Sequence, residues 1–513
     1  MADRPNFVFV FSDQQRQDTL ACYGADWMQT PNLNALAQES FVFENAYVAQ
    51  PVCTPARATI MTGLYPHTAG PIVNQINLPE DTPVIAEMIS DDYYKGYMGK
   101  WHLGNDLVPQ HGFDSWTTTE DGHRSTKPEQ RYLVSSYNKY LVEQGYEPDR
   151  PRRAPGVMRN LVARDTREDA GPNVVFSSDA HYDMPEEHQM ASYLGDRAAD
   201  FIEENKDRPF ILYVSTFEPH SPYNGPFMDM YDPATLPVGP AFLENPKSAS
   251  MVNRVRADYF LQFMNKGVDQ TQDDYMMRYA AAREDVTTEL GWRTLRAHYM
   301  ANITLVDRMV GKITSALEDA GISENTVVIF TSEHGDMMGD HGMLEKRSFF
   351  EEASRVPLLM KVPWLSREQT RIEGSVGHID LVPTLLDLMG QDIPSDLQGK
   401  SLQPVLKGES DLSDNDVFVQ WNGTSNEIPD RFLGSAEINR FLALPWRSVI
   451  TPDRWKLNLC AGDQCELYDL NNDPHEMSNL FNDPAQIDRI RDMAARIRTW
   501  QFNTGDTAPL PTT

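Results

Sequence analysis

Short, nearly continuous apolar runs alternate along the chain with stretches whose apolar residues recur every three or four positions. Phe7–Phe11 (FVFVF), Phe210–Ser215 (FILYVS) and Val327–Phe330 (VVIF) have the length and composition of strands buried on both faces. Leu33, Leu36 and Ala37 give Pro31–Ser40 helical spacing. Leu295, Tyr299, Ile303, Val306, Val310, Ile313 and Leu317 make a longer stripe that must face a core, and His298 within it is expected to pack rather than react. Ile379–Met389 predicts a further helix that stops at Gly390, a residue suited to the left-handed conformation beyond a helix end. The alternation predicts an α/β fold: a large, mixed, mostly parallel sheet flanked by helices. From about residue 416 the pattern changes to four short strands, VFVQW, WRSVI, WKLNL and ELYDL, and a closing helix over Gln486–Gln501. The expected organisation is a catalytic α/β domain over 1–415 and a small antiparallel-sheet subdomain over 416–513. Variable insertions are expected at about 120–190 and 224–285. The first, with Arg150-Pro151-Arg152-Arg153, reads as a solvated insertion or a substrate-facing loop; the second reads as irregular.

Of the 513 residues, 40% are apolar, enough for a large core and too many for a mainly disordered chain. With 45 basic and 75 acidic residues the net charge is −30, which argues against nucleic acid and against an anionic membrane surface as partners. No apolar run approaches the ~18 residues of a membrane span. The start, MADRPNFVFVF, passes directly into a strand, so the expected location is cytoplasmic, or periplasmic or secreted for a chain trimmed of a leader. The four cysteines are too few for a disulfide framework. Cys460 and Cys465 flank a turn and read as two thiols or a disulfide. The sequons Asn302-Ile-Thr and Asn422-Gly-Thr are expected to be chance matches.

Ligands of open α/β sheets bind beyond the carboxyl ends of the strands. The residues found there are Ser12-Asp13-Gln14, Lys100-Trp101-His102, Glu218-Pro219-His220 and Ser332-Glu333-His334-Gly335-Asp336. Asp13, Gln14, Glu333 and His334 could hold one divalent cation; carboxylate and amide oxygens favour Ca²⁺ or Mg²⁺, and the imidazole admits Mn²⁺. The alternative is that Asp13 and Glu333 cap helices. In Pro51-Val-Cys53-Thr-Pro55-Ala-Arg57, a cysteine precedes a helix expected to start near Pro55. The helix start favours anions and Arg57 adds positive charge, which reads as an activated thiolate beside an oxyanion site.

With these residues in view, the chain resembles the type I sulfatases, the formylglycine-dependent branch of the alkaline-phosphatase-like superfamily. CTPAR matches the Cys-x-Pro-x-Arg signature, and ATIMTGLYPH continues it. NFVFVFSDQ, TPNLNALA, GKWHLG, EPHSPY, VVIFTSEHGDMMGDHGMLEK, RVPLLM, HIDLVPTLLDLMG, LQGKSL and ELYDLNNDPHEMSNL carry the likeness over almost the whole chain. The resemblance implies the sulfatase fold and oxidation of Cys53 to formylglycine (3-oxoalanine) by a formylglycine-generating enzyme. The hydrated aldehyde would attack sulfur through one hydroxyl, and the second hydroxyl would release sulfate from the ester intermediate. The cation, Ca²⁺ first among the candidates, would be shared by Asp13, Gln14, Glu333, His334 and the modified Cys53. Arg57 would orient the formylglycine, and Lys100, His102 and Lys346 would contact the sulfate or the hydrate. His220 would protonate the leaving oxygen with help from Lys346, and Asn74 would be a weaker substrate contact. His341, His378, Asp336 and Asp340 lie beside the motifs and are assigned supporting roles.

Two positions depart from the family pattern: Gln14 stands where many members have a second aspartate, and Glu333 stands where the pattern has Asp. The implied function is a sulfuric ester hydrolase acting on a small or oligosaccharide sulfate ester. The alternatives are a phosphonate monoester or phosphodiester hydrolase of the same superfamily, and a relative impaired by Glu333. Arg431, Arg440 and Trp446 are read as surface-loop residues more than substrate contacts. The acidic excess is expected on the outer surface, with Arg57, Lys100, Lys346 and the cation forming a local positive pocket. An oligomer is compatible with all of this.

Overall fold

Phe7, Phe9 and Phe11 turn to one side of a sheet and Val8 and Val10 to the other, and both sets are buried. That is why the amino-terminal run is apolar at every position rather than alternating. In the computed structural model the described residues are 4–74, 76–120, 133–148, 184–270, 273, 276, 284–423 and 435–512. The large sheet is built from β1 (Asn6–Ser12), β2 (Phe41–Tyr47), β3 (Tyr94–Gly99), β4 (Ser115–Thr118), β5 (Phe210–Ser215), β6 (Thr326–Ser332), β7 (Arg355–Val356), β8 (Leu358–Lys361) and β9 (Thr370–Gly377). Their order is β4-β3-β5-β1-β6-β8-β2-β7, with β9 also on β2. Strands β4, β3, β5, β1 and β6 run parallel, while β8 joins β6 and β2 antiparallel. The expected mixed, mostly parallel sheet is therefore present.

One face is covered by α2 (Cys53–Thr62) and α6 (Leu381–Leu388), through Ile60, Met61, Leu381, Leu385 and Leu386. The other is covered by α1 (Pro31–Gln38), α3 (Met190–Asn205) and α5 (Glu289–Asp319). Every member of the predicted stripe on α5 is buried. The Thr288 hydroxyl caps this helix by accepting from the Gly291 N–H. His298 packs as expected, with Nδ1 2.9 Å from Glu284 Oε1. Gly390 takes φ +67° just beyond the helix that ends at Leu388.

A second sheet, β10 (Val417–Trp421), β11 (Trp446–Ile450), β12 (Trp455–Leu459) and β13 (Glu466–Asp469), is antiparallel throughout. The helix α7 (Ile487–Thr504) packs on it through Ile490, Met493, Ala494 and Ile497. Among the described residues no helix is long and apolar enough to cross a membrane.

Several expectations need correction. The 224–285 segment is not simply irregular: Met251–Asn265 forms a helix, α4, whose Val252, Tyr259, Phe260 and Phe263 enter the core. The polar residues between those apolar ones concealed its stripe. Trp446 is no surface-loop residue; it opens β11 and packs edge-on to Phe349, largely buried. Arg440 is exposed, and Arg431 lies outside the described residues, as does most of the 120–190 segment. Cys460 and Cys465 are free thiols, each pushed up to about 11 by burial. Asn302 is buried, and the Asn422 amide is engaged by Gln50 and Arg447. Neither side chain is available as an exposed acceptor.

Candidate active site

The register of four parallel strands places the candidate residues side by side. Ser12 pairs with Ser332, Phe11 with Ser215, and Ser215 with Gly99. The residues that come next, Asp13, Glu333, Thr216 and Lys100, therefore leave the sheet at one level. The Glu333 N–H still donates to Ser12 O at 3.0 Å, continuing the ladder into the site. No helix begins at Asp13 or Glu333 among the described residues, so the capping alternative does not hold. Gly99 takes φ +101°, and a Cβ there would lie 1.8 Å from Ser215 O. Only glycine permits the close turn that delivers Lys100.

Cys53 is the first residue of α2, two positions earlier than expected, with Val52 before it in extended conformation. Its Sγ lies 3.4 Å from His334 Nε2. One ligand atom each from Asp13, Cys53, Glu333 and His334 lie within 4.8 Å of one another, all buried. His334 Nδ1 is directed to Gly335 O at 2.9 Å, leaving Nε2 to face this group. Nε2 is 3.2 Å from Glu333 Oε1 and 3.7 Å from Asp13 Oδ1. Asp13 Oδ1 and Glu333 Oε1 are buried without a hydrogen bond. Two buried carboxylate oxygens converging on an imidazole nitrogen, with the Cys53 sulfur beside it, fit a divalent cation. The extra methylene of Glu333 does not keep its carboxylate out of the group.

Two cations balance the carboxylates. Arg57 pairs with Glu333 through Nε, and its Nη2 is 3.8 Å from Asp13 Oδ2. Its Nη1 donates to Lys100 O at 2.5 Å and to Ser215 Oγ at 2.7 Å. Lys100 Nζ donates to Asp13 Oδ2 at 2.6 Å. Burial opposes the charge on both groups, but the facing carboxylates hold Arg57 and Lys100 above their ordinary ranges. Burial likewise opposes the Glu333 charge, and Arg57 overrides it, holding the carboxyl well below its ordinary value. For His334, burial is outweighed by Cys53 and Glu333, which raise it to about 9.

Across the pocket, Lys346 Nζ lies 2.5 Å from Gln14 Oε1 and 2.9 Å from His220 Nε2. His220 Nδ1 is 2.7 Å from Ser221 O, which leaves Nε2 for Lys346. The Gln14 amide donates to Asp336 Oδ2 and, at 3.4 Å, to the Tyr223 hydroxyl. Gln14 oxygen is thus turned toward Lys346. His102 is buried beside the start of α2, its carbonyl accepting from Thr54 Oγ1 at 3.1 Å. Asn74 Oδ1 accepts the Thr54 N–H at 3.0 Å, which makes it a brace for the first turn of α2.

His341 stacks on Phe350 at 3.8 Å, and His378 Nε2 meets Thr331 Oγ1 at 3.0 Å. Asp340 pairs with Arg16 at 2.6 Å and with Arg296 at 3.2 Å. Asp336 holds Gln14, so it acts on the site through that amide. Sequence reasoning missed Ser215, Tyr223 and Arg256. Ser215 ends a predicted strand and could have been found there. Tyr223 closes the EPHSPY segment and could have been found there, while Arg256 lies in a stretch without periodic signal.

The sequence model of the Sulfatase family matches residues 5–391, and that of the N-sulphoglucosamine sulphohydrolase C-terminal region matches 339–503. The sulfatase YidJ of Escherichia coli (strain K12) is 30% identical over 94% of this chain and 84% of its own length. An N-acetylglucosamine-6-O-sulfatase of Bacteroides thetaiotaomicron is 24% identical over 99% of this chain and 88% of its own. The solved phosphonate monoester hydrolase of Silicibacter pomeroyi superposes with a TM-score of 0.75 at 23% identity, covering 98% of this chain and 96% of that one.

Proposed function

The chain belongs to the sulfatase family, and from that premise we propose that it releases inorganic sulfate from an organic sulfate ester at the pocket around Cys53, with Cys53 matured to formylglycine. One observation carries this reading: Cys53 opens α2 with its sulfur 3.4 Å from His334, inside the buried group that includes Asp13 and Glu333. Asp13, Glu333 and His334, with Gln14 beside them, would hold a divalent cation, Ca²⁺ foremost, with Mn²⁺ or Mg²⁺ also compatible. When present, formylglycine supplies a hydrated-aldehyde nucleophile and the cation supplies charge that draws the sulfate oxygens.

The chain's own residues do the rest. Arg57 and Lys100 remain charged in a buried site and give an anion a positive floor. His102, two residues beyond Lys100, would contact the sulfate or the hydrate. A proton shared between Lys346 Nζ and His220 Nε2, 2.9 Å apart, would pass to the departing alcohol oxygen. The proposed substrate class is a small or oligosaccharide sulfate ester. A relative acts as an N-acetylglucosamine-6-O-sulfatase, and a chain with net charge −30 is a poor partner for long polyanions.

Mass measurement of the proteolytic peptide containing residue 53, coupled to turnover of nitrophenyl sulfate, phosphate diester and phosphonate, tests the reading. The expected result is the aldehyde mass and fastest turnover of the sulfate. Fastest turnover of the diester or phosphonate would replace it with the phosphonate hydrolase alternative. Activity that appeared only in Glu333→Asp would make the chain an impaired relative.

A further inference from the structure

The loop that carries Lys346 has an unusual backbone. Glu345 and Arg347, on either side of the lysine, take φ +64° and +72°, the left-handed region that side-chain-bearing residues seldom occupy. Such a conformation persists only where its surroundings enforce it. Part of that enforcement comes from α4, the helix inside the 224–285 segment. Arg256 on α4, 4% exposed, donates from Nη2 to Lys346 O at 2.6 Å and to Leu344 O at 3.4 Å, and from Nη1 to Arg347 O at 3.1 Å. One planar guanidinium thus gathers three carbonyls of a single turn, which the three-donor ammonium of lysine cannot reproduce in the same plane. The contact is close along the helix. Gly342 lies against Leu261, and a Cβ at 342 would come within 2.6 Å of that side chain. From the other side, Asp336 Oδ1 accepts the Glu345 N–H at 3.0 Å, and Pro51 O accepts the Arg347 N–H at 3.1 Å.

We propose that Arg256 is a positioning residue for the reaction: it clamps the 344–347 turn so that Lys346 Nζ stays between Gln14 and His220. The inference rests on the sulfatase reading for its kinetic consequence. It makes α4 a brace for the turn that carries Lys346. The clamp acts on the carbonyls of this turn, so losing it should slow turnover while leaving anion binding at Arg57 and Lys100 intact.

The test compares Arg256→Met, Arg256→Lys, Lys346→Met and the double variant Arg256→Met/Lys346→Met in the full chain with nitrophenyl sulfate. Arg256→Met should lower kcat about tenfold or more with KM changed less than about threefold, and Arg256→Lys should lose less. In the Lys346→Met background the same substitution should cost less than about twofold, because its route of action is already gone. Full, multiplicative loss in the double variant would overturn the proposal, as would an unchanged kcat in Arg256→Met. Hydrogen–deuterium exchange of the 344–349 segment provides a readout independent of turnover. It should rise in Arg256→Met, or in Arg256→Lys if the methionine variant does not fold, while exchange in β1 and β6 stays constant. Unchanged exchange would refute the clamp. Increased exchange in a chain whose wild type hydrolyses no sulfate would uphold the clamp and refute only the assigned reaction.

Discussion

Asp13, Glu333 and His334 stand directly beyond the last residues of two paired strands, whereas His220 and Lys346 stand on the loops after β5 and β6, farther along the chain from the strand ends. On the strand side, position is set by sheet hydrogen bonds: once Ser12 is in register with Ser332, the carboxylates of the next residues must meet. On the loop side no repeating ladder exists. Geometry there depends on individual tertiary bonds, Asp336 to Gln14 and Glu345, and Arg256 to three carbonyls. The difference teaches that the strand side is fixed by the same ladder that builds the sheet, while the loop side, where the proposed proton donor sits, depends on a few long-range bonds. The first half should fail through lost charge, the second through lost placement.

The sharpest way to break this contrast is Glu333→Gln. It removes a charge that pairs with Arg57 and leaves that buried guanidinium facing a neutral amide. Turnover should fall by more than the ~10–100-fold typical of losing an outer partner, and the divalent-ion concentration for half-activation should rise by a similar factor. A metal titration of activity checks both. Asp336→Asn should do less, about tenfold in kcat, since its Oδ2 can no longer serve both Gln14 and Tyr223. Its metal requirement should stay at the wild-type value; a shift as large as that of Glu333→Gln would erase the distinction between the halves.

The third test concerns stability. His378 lies under β6 on the strand side and is pushed down by burial to about 3; His341 lies on the loop side and is pushed down, chiefly by burial, to about 4. Each is neutral when folded, while the unfolded chain binds a proton near pH 6.5. The unfolded state therefore gains protons first on acidification. The stabilisation is complete above about pH 6.5 and is lost as pH falls toward 4 and 3, at most ~3–5 kcal/mol per residue. Thermal melting at pH 7.5 and 5 should show the loss. His341→Phe, which keeps the stack on Phe350, should flatten the acid side of that dependence.

Much of the strand side is legible in the chain alone. FVFVF, FILYVS and VVIF can only be strands buried on both faces, and in an open α/β sheet their carboxyl ends are where polar residues must collect. Asp13, Lys100, Glu333 and His334 are found that way, and the CTPAR signature adds Cys53 and Arg57. The loop side is legible only in part. Lys346 and His220 can be nominated, but the chain around Arg256 reads as irregular, because its apolar residues are separated by Asn253, Arg254, Arg256 and Asp258. Its partners are backbone carbonyls about ninety residues away, and carbonyls carry no sequence signal.

The sequence by itself determined the features that periodicity and local chemistry dictate: the layered α/β sheet, the second antiparallel sheet, a helix beside Cys53, and the identity of the charged residues at the strand ends. Only the tertiary structure decided how those residues are used. It placed the Gln14 oxygen on Lys346, gave Asn74 to the first turn of α2, buried Trp446 in the core and joined Arg256 to the turn beside the site. Periodic patterns are imposed by burial and recur every two or three to four residues, so they can be read along the chain. A single hydrogen bond between distant segments leaves no such period, because its energy depends on where the fold brings the two partners together.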